Sequence, residues 1–238
     1  MALAAGIVFE AGRPGSWRRP VRREFWRVLH LALTGSLVAT CFLAVLGGLG
    51  MVYQALYWLH ILGAERSIGE VLVTVLVREV APLLVGVILL GRAGSVTLTE
   101  LGRLQSERQV RALESQGVDP FLFLIMPRGA AFALASYTLG IIFVLATLFV
   151  GFVAGRLLGV GAISVWSFLD NVLLATAQSD FVLFPTKMLA IGLMVAATVC
   201  MTALSADPQD GLGKLMARGF VRGMLAVMLT SVLFSLMV

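Results

Sequence analysis

The sequence predicts an all-α integral membrane protein with about five transmembrane helices. Of its 238 residues, 59% are hydrophobic and only 13% are charged, and the mean hydropathy is +0.97. Soluble domains carry about 25% charged and about 45–50% apolar residues, so this chain lies far outside the soluble class. Its arginines flank long uncharged runs and are not interleaved with aromatic residues on one face. That distribution is typical of membrane topology and argues against a nucleic-acid partner.

Residues 1–30 form a basic segment that we expect to lie at the membrane surface. Within it, residues 13–27 contain six arginines together with Trp17, Phe25 and Trp26. Arginines and aromatic residues suit a helix lying on an anionic leaflet, and they equally suit a plain positively charged flank of the first span. Both alternatives place the N-terminus in the cytoplasm.

The membrane domain, residues 31–238, begins with an apolar run that is longer than one span. Residues 31–62 contain no charged residue, whereas one span needs about 20 residues. Gly47, Gly48 and Gly50 lie in the middle of this run, so we expect a single span that is tilted or broken there. The later apolar runs predict four further spans, at residues 68–90, 129–155, 181–204 and 220–238.

The distribution of Lys and Arg predicts the orientation of these spans. With five spans and an inside N-terminus, the outer side receives Arg66, Arg156 and Lys187. Arg78 lies within the membrane, and every other Lys and Arg is cytoplasmic. Dividing residues 31–62 into two spans would move the arginines that precede the third span to the outside, against the positive-inside rule.

One charge pair lies inside the second predicted span. Arg78 and Glu79 occur about halfway along it, where an arginine costs roughly 2.5–3.5 kcal/mol on insertion scales. Neighbouring residues on a helix point about 100° apart, so the two charges do not face each other. Pro82 has no N–H to donate to the carbonyl of Arg78, and it can bend the helix. The pattern indicates either a water-filled cavity for a charged or zwitterionic headgroup or a structural ion pair between packed helices.

Two other polar residues could serve the same cavity. Lys187 lies near the outer end of the fourth span, where it could extend to the membrane surface or contact a headgroup at the cavity mouth. Gln54 could offer a hydrogen bond from the first span.

The polar segment after the second span is a candidate docking element. Residues 100–117 are rich in helix formers and end at Gly117, which suits either a helix that docks on a soluble partner or a solvated loop helix. The sequence contains no phosphate-binding G-x-x-x-x-G-K-[ST] loop, so we do not expect this chain to bind ATP. It also lacks the H-E-x-x-H and G-x-S-x-G motifs of metal-dependent and serine hydrolases.

Five short stretches carry a more specific pattern. They are Arg78-Glu79-x-x-Pro82, Gly91-Arg92-Ala93-Gly94-Ser95, Glu100-Leu101-Gly102, Val118-Asp119-Pro120 and Pro127-Arg128. In these stretches the chain resembles the MlaE/YrbE-type permeases, the membrane subunits of ABC transporters that work with MCE-domain proteins. The resemblance covers roughly residues 20–235 and implies an N-terminal interfacial helix, about five spans and a cytoplasmic coupling helix near residues 103–117. The chain departs from the family pattern in its last span, residues 220–238, which contains no acidic residue.

The resemblance implies a permease subunit in the bacterial inner membrane that moves phospholipid between the inner and outer membranes. The implied partners are a second copy of this chain, a cytoplasmic ABC ATPase that binds ATP and Mg²⁺, a small STAS-domain subunit and a periplasmic ring of MCE-domain proteins. The chain itself is then a transport subunit with no catalytic activity and no cofactor of its own.

The resemblance also assigns roles to individual residues. Arg78 and Glu79 border the lipid cavity, Lys187 matches a lysine near the start of the fourth span, and Gln54 falls where the first span lines the cavity. The residues expected to meet the ATPase are Glu107, Arg108, Arg111 and Glu114.

Two other functions fit the same charge pair. An ion- or proton-coupled secondary transporter would use Glu79 and would work without an ATPase, although five spans without an internal repeat argue against it. A structural anchor of an envelope complex would keep its function when Arg78 and Glu79 are replaced by Met and Gln.

Overall fold

The computed structural model describes residues 2–13, 15, 17–63, 68–117, 119–157, 165–206 and 211–236. The regular structure of these residues is helical throughout, with no strand. The α-helices are α1 (Ala2–Ala11), α2 (Arg19–Gly47), α3 (Tyr53–Ile61), α4 (Ile68–Val71), α5 (Ala81–Leu89), α6 (Ser95–Ser106), α7 (Gln109–Ser115), α8 (Met126–Leu157), α9 (Val165–Ala175), α10 (Asp180–Leu204) and α11 (Leu212–Ser235). Wider π-helical turns join several of them, at Gly48–Val52, Leu72–Val80, Leu90–Gly94 and Phe121–Ile125.

Five continuous helical stretches of the described chain are long and apolar enough to cross a membrane. They are Arg19–Leu59, Leu72–Ser106, Phe121–Ala154, Asp180–Leu204 and Gly213–Ser235. The prediction of an all-α integral membrane protein with five spans is therefore confirmed.

The first membrane-spanning helix, α2, begins earlier than the predicted span 31–62, and the helical stretch continues through the glycine-rich middle of that span. It starts at Arg19, so part of the predicted surface segment 1–30 belongs to the same helix as the span. At Gly48–Val52 the helix widens into a π turn and continues as α3. A Cβ on Gly48 would lie 2.7 Å from the carbonyl oxygen of Thr147. The glycine therefore permits close backbone contact between this helix and α8, and the chain does not break there.

The second membrane-spanning helical stretch, Leu72–Ser106, extends beyond the predicted span 68–90. It runs through the Leu90–Gly94 π turn and ends at Ser106. The glycines do not stop it because α6 buries one face against α10 and α11, and a Cβ on Gly102 would lie 2.6 Å from the Leu215 side chain. Tertiary packing thus overrides the local preference of glycine. As a result, Arg78 and Glu79 lie in the first third of this helix and not at its middle.

The predicted coupling helix at residues 103–117 is divided into two pieces. Helix α6 ends at Ser106, and Arg108 takes a left-handed backbone conformation with φ of 57°. A right-handed helix cannot continue through such a residue, so the chain turns and begins again as the short helix α7. Gly117, with φ of 74°, follows the end of α7.

Helix α8 lies at the centre of the bundle, against α2 and α10. Its inward side chains, such as Phe132 and Phe143, are fully buried. A Cβ on Gly192 of α10 would lie 2.3 Å from the carbonyl oxygen of Phe132, so these two backbones are in close contact. The side chains on the outer surface of the bundle are also apolar, including Val38 of α2 and Phe149 of α8, as expected for helices surrounded by lipid.

Candidate functional site

Four charged side chains lie together at one end of the bundle, and we call them the pocket cluster: Arg78, Glu79, Asp180 and Lys187. Asp180 is the first residue of α10, which places the cluster where that helix begins. The cluster borders a pocket of about 220 Å³. The remaining described lining of this pocket is Thr74, Val77, Leu183, Phe184, Phe234 and Ser235.

The first ion pair of the pocket cluster joins Arg78 to Asp180. Arg78 Nη2 donates a hydrogen bond to Asp180 Oδ2 at 2.9 Å, and Arg78 Nε lies 2.8 Å from Asp180 Oδ1. Asp180 Oδ2 also accepts a hydrogen bond from the backbone N–H of Ala177 at 3.0 Å. This carboxylate is 3% exposed and lies at the N-terminus of α10, where the helix dipole favours a negative charge. It therefore holds the Arg78 guanidinium in a fixed position.

The second ion pair joins Lys187 to Glu79 and uses the backbone as well. Lys187 Nζ donates to the carbonyl oxygen of Arg78 at 2.6 Å and to Ser235 Oγ at 2.9 Å, and it lies 3.6 Å from Glu79 Oε1. Pro82, four residues after Arg78, has no N–H for that carbonyl. Lys187, whose side chain is 7% exposed, takes the place of the missing donor.

Ser235, in the last turn of α11, connects the members of the second pair. Its hydroxyl accepts a hydrogen bond from Lys187 Nζ and lies 2.6 Å from Glu79 Oε1, to which it can donate its proton. The carbonyl of Ser231 is an alternative acceptor at 2.9 Å. The last span thus contributes a neutral hydroxyl to the site.

The two pairs share one arrangement, in which a buried partner holds a more exposed one. Asp180 and Lys187 are the buried members, whereas the Arg78 and Glu79 side chains are 32% and 44% exposed. Both exposed members belong to the π-helical segment Leu72–Val80. A π-helix turns less per residue than an α-helix because its hydrogen bonds span five residues, so adjacent side chains can reach the same pocket.

The structure brings together three of the four predicted cavity residues. Arg78, Glu79 and Lys187 meet in the pocket, whereas Gln54 is exposed on α3 and is not part of the described lining. Helix α3 contacts α8 and α4, which directs it away from α10 and α11. The assignment of Gln54 to the cavity therefore stays a prediction, and the pocket formed within a single chain does not support it.

The sequence analysis missed Asp180 and Ser235. A signal for Asp180 existed, because it precedes Lys187 by seven residues and both therefore lie on one face of a helix. In the second span the basic residue Arg78 precedes the acidic residue Glu79, whereas in the fourth span the acidic residue Asp180 precedes the basic residue Lys187. Each charge therefore has a possible partner of opposite sign on the other helix. Ser235 gave no such signal, since one serine near a helix end is common.

A second group of charges, which we call the junction cluster, comprises Glu24, Arg27, Glu100 and Arg128. Arg27 bonds both carboxylates, with its guanidinium 2.9 Å from oxygens of Glu24 and of Glu100. Arg128 Nη2 lies 2.8 Å from Glu24 Oε1 and 3.3 Å from Glu100 Oε2. Arg128 also donates to the carbonyl of Leu124 at 2.9 Å. The junction cluster ties α2, α6 and α8 together, and it was not predicted.

The two clusters lie toward opposite ends of one helical stretch. Arg78 and Glu100 both belong to Leu72–Ser106. At 1.5 Å per residue they are separated by about 33 Å along it, close to the thickness of a membrane core.

The predicted partner-facing residues lie just beyond the junction cluster. Glu107, Arg108 and Arg111 are exposed, and Glu114 lies on α7. Glu107 Oε1 accepts a hydrogen bond from Arg103 Nε at 2.6 Å, and its other oxygen accepts one from Gln109 Nε2 at 2.7 Å. An open groove of about 420 Å³ connects this turn with the junction cluster.

A bundle of five apolar helices with a charged pocket at one end defines a multi-pass membrane protein built like a permease. The chain belongs to the MlaE permease family, because the family model described as Permease MlaE matches residues 25–237. The resemblance found in the sequence is thereby confirmed.

Three relatives illustrate the similarity. The chain is 31% identical to a probable ABC transporter permease protein of Synechocystis sp. over 73% of this chain and 65% of the relative. It is 33% identical to the intermembrane phospholipid transport system permease protein MlaE of Haemophilus influenzae over 45% of this chain and 42% of the relative. It is 42% identical to the chloroplastic protein trigalactosyldiacylglycerol 1 of Arabidopsis thaliana over 31% of this chain and 21% of the relative. The chain thus spans less than two thirds of the length of each.

Proposed function

We propose that this chain is the permease subunit of an ABC transporter that moves phospholipid between the inner and outer membranes of a bacterium. The observation that carries the proposal is the pocket itself, which combines a partly exposed cation and a partly exposed anion with apolar walls. Arg78 and Glu79 supply the charges, and Val77, Phe184 and Phe234 supply apolar surface. Such a pocket suits the polar end of an amphiphile.

The size of the pocket indicates which part of a lipid it holds. A volume of about 220 Å³ is smaller than the roughly 300–1,000 Å³ typical of sites for whole small molecules. The pocket therefore takes the headgroup, and the acyl chains lie along the apolar helices beside it. This division of roles is supported by the position of the pocket near the start of α10 and the end of α11.

We place the chain in the bacterial inner membrane with its N-terminus in the cytoplasm. The positive-inside rule supports this orientation, since the basic start of α2 and the arginines near α7 then lie on the cytoplasmic side. The junction cluster faces the cytoplasm, and the pocket cluster faces the periplasm.

The names of two relatives, which describe permeases of an ABC transporter and of a phospholipid transport system, support an ATPase partner. The other partners are proposed from the family resemblance. Two copies of this chain form the permease, and a cytoplasmic ABC ATPase docks on α7 of each copy and on the turn before it, through Glu107, Arg108, Arg111 and Glu114. ATP and Mg²⁺ bind in that partner, so this chain is a transport subunit and not an enzyme. A small STAS-domain subunit joins on the cytoplasmic side, and a ring of MCE-domain proteins receives or delivers the lipid in the periplasm.

The helical stretch Leu72–Ser106 supplies a route between the ATPase and the lipid. It extends without interruption from the turn before α7 to the pocket. A movement of α7 when the ATPase closes is therefore transmitted along a stiff element to Arg78 and Glu79. Closure narrows the pocket and drives the headgroup out.

The proposal is tested by measuring ATP-dependent transfer of a fluorescent phospholipid from vesicles that contain the complete transporter. Arg78→Ala and Glu79→Ala should each lower the transfer rate at least about tenfold, which corresponds to about 1.4 kcal/mol of lost interaction. Arg156→Ala, an exposed arginine near the end of α8, is the matched control and should transfer lipid at the normal rate. Normal transfer in both pocket variants would refute the assignment of the pocket.

The same assay separates the alternative functions. Transfer driven by an ion gradient without the ATPase would identify a secondary transporter that uses Glu79. Full function of the double variant Arg78→Met, Glu79→Gln would identify a structural anchor.

A further inference from the structure

We propose that the pocket cluster selects phospholipids whose headgroup is zwitterionic and carries a protonated amine, in preference to anionic phospholipids. The inference rests on the proposed function and defines its substrate class. Three properties of the pocket cluster support this inference. They are its net charge, the polar atoms that its internal contacts leave unused, and the adjacent positions of the two residues that provide those atoms.

The pocket cluster has no net charge. Arg78 and Lys187 carry two positive charges, and Glu79 and Asp180 carry two negative charges. The remaining described lining is uncharged, comprising apolar side chains, Thr74 and Ser235. A net anionic headgroup would leave the occupied, partly buried site with an uncompensated negative charge, which is unfavourable. A zwitterionic headgroup has no net charge, so the occupied pocket remains neutral.

Among the residues that the structure describes, the contacts of the pocket cluster leave one donor group and one acceptor atom available. Arg78 uses Nε and Nη2 toward Asp180, and none of its contacts described above involves Nη1. Glu79 uses Oε1 toward Ser235 and Lys187, and none of its contacts described above involves Oε2. The partners that hold the used atoms, Asp180 and Lys187, are buried, whereas the side chains with the unused atoms are partly exposed and line the pocket.

The unused atoms match the two ends of an amine-bearing phosphodiester. Arg78 Nη1 is a donor for a phosphate oxygen, and Glu79 Oε2 is an acceptor for an ammonium group. The two residues are adjacent in a π-helical segment, so both ends can be bound at once. A glycerol headgroup would offer a hydroxyl where an ammonium could bind, and a quaternary amine would have no N–H to donate.

The inference is tested with the complete transporter in detergent, exchanged against vesicles of equimolar phosphatidylethanolamine and phosphatidylglycerol. Bound lipid is then extracted and quantified by mass spectrometry. The unmodified protein should retain the ethanolamine lipid with at least about fivefold enrichment, the scale expected of one partly exposed ion pair. Glu79→Gln should reduce the enrichment to about one. Glu70→Gln, which makes the same charge change at an exposed position on α4, should leave it unchanged.

Two further arms keep the result decisive. Arg78→Gln removes the phosphate donor that both lipids share, so it should lower total bound phospholipid without favouring the glycerol lipid. Glycerophosphoethanolamine at micromolar concentration should not displace the lipid, because it lacks acyl chains. Displacement would show that the site takes the free headgroup instead.

The outcomes distinguish the inference from the proposed function. ATP-dependent lipid transfer with no enrichment in the unmodified protein, or with equal enrichment in Glu79→Gln, would overturn the selectivity and leave the transport function intact. A complete transporter that neither binds nor transfers phospholipid would overturn both.

Discussion

The pocket cluster and the junction cluster contain the same charges, two cations and two carboxylates, but they use them differently. In the pocket cluster, two separate pairs each present one exposed member, Arg78 or Glu79, to a pocket. In the junction cluster, both arginines bond both carboxylates, and the network joins three helices. The first arrangement leaves a carboxylate oxygen free for a ligand, whereas the second uses all four carboxylate oxygens in contacts that join the helices.

The comparison shows that the presence of charges in an apolar bundle does not by itself identify a binding site. The distribution of burial within each pair is more informative. When a buried residue holds a more exposed one of opposite charge, the exposed side chain is positioned to bind a ligand. When the residue at the centre of the network is itself buried, as Arg128 is, its role is structural. The two clusters should therefore respond differently to substitution.

The largest effect on folding is expected at the centre of the junction cluster. Arg128→Met removes a side chain that is only 3% exposed and leaves Glu24 and Glu100 with Arg27 alone. We expect a loss of roughly 3 kcal/mol, the lower end for a broken buried ion pair, because Arg27 still neutralises both carboxylates in part. Unfolding by SDS in mixed micelles measures the change. Arg156→Met on the same helix is the control, and equal stability of the two variants would contradict a structural role for the junction cluster.

A smaller effect on folding is expected from the buried cation of the pocket cluster. Lys187→Met leaves the Arg78 carbonyl without its side-chain donor and Glu79 without its cationic partner, although Glu79 keeps the hydrogen bond from Ser235. We expect a loss of about 2 kcal/mol, the scale of a hydrogen bond to a charged group. The same SDS titration checks this, with the exposed Lys214→Met as the control. A loss as large as that of Arg128→Met would remove the distinction between the two clusters.

An exposed member of the pocket cluster should affect transport more than folding. Glu79→Gln keeps the size and the hydrogen bond to Ser235, so we expect a change in unfolding free energy below about 1 kcal/mol. Lipid transfer should nevertheless decrease several-fold, because the neutral amide cannot form an ion pair with an ammonium and accepts only a weaker, uncharged hydrogen bond. Parallel SDS titration and transfer assays make the comparison. Destabilisation with unchanged transfer would assign Glu79 a structural role.

The smallest effect is expected beyond the junction cluster. Arg103 and Glu107 form a short contact of 2.6 Å, but the Arg103 side chain is 77% exposed. Water screens such a pair, so Arg103→Ala should unfold at the same SDS concentration as the unmodified protein. A measurable decrease would show that the short distance, and not burial, determines the strength of these pairs.

The sequence was sufficient to predict the parts of the fold that depend on composition along the chain. Five spans followed from apolar length, and the polar character of the site followed from Arg78, Glu79 and Pro82. The helix ends were predicted less well. The second span was predicted to end at residue 90, yet contacts with α10 and α11 keep that helix intact to Ser106.

The missed residues have a common physical cause. Asp180 and Ser235 join the site through contacts with residues more than 100 positions away, and no local pattern specifies such contacts. The junction cluster depends in the same way on the packing of three helices. Gln54 shows the converse, since a polar residue in an apolar run looked like a cavity residue but lies on α3, away from the pocket.

The contact between Lys187 and the Arg78 carbonyl means that part of the site belongs to the main chain. A scan that truncates side chains one at a time would leave this acceptor in place, including at Arg78 itself. The substitution that reaches it is at Pro82, where any other residue would supply an N–H and offer the carbonyl a helical partner. A proline that contributes no polar atom to the pocket thus controls where the lysine ammonium is anchored.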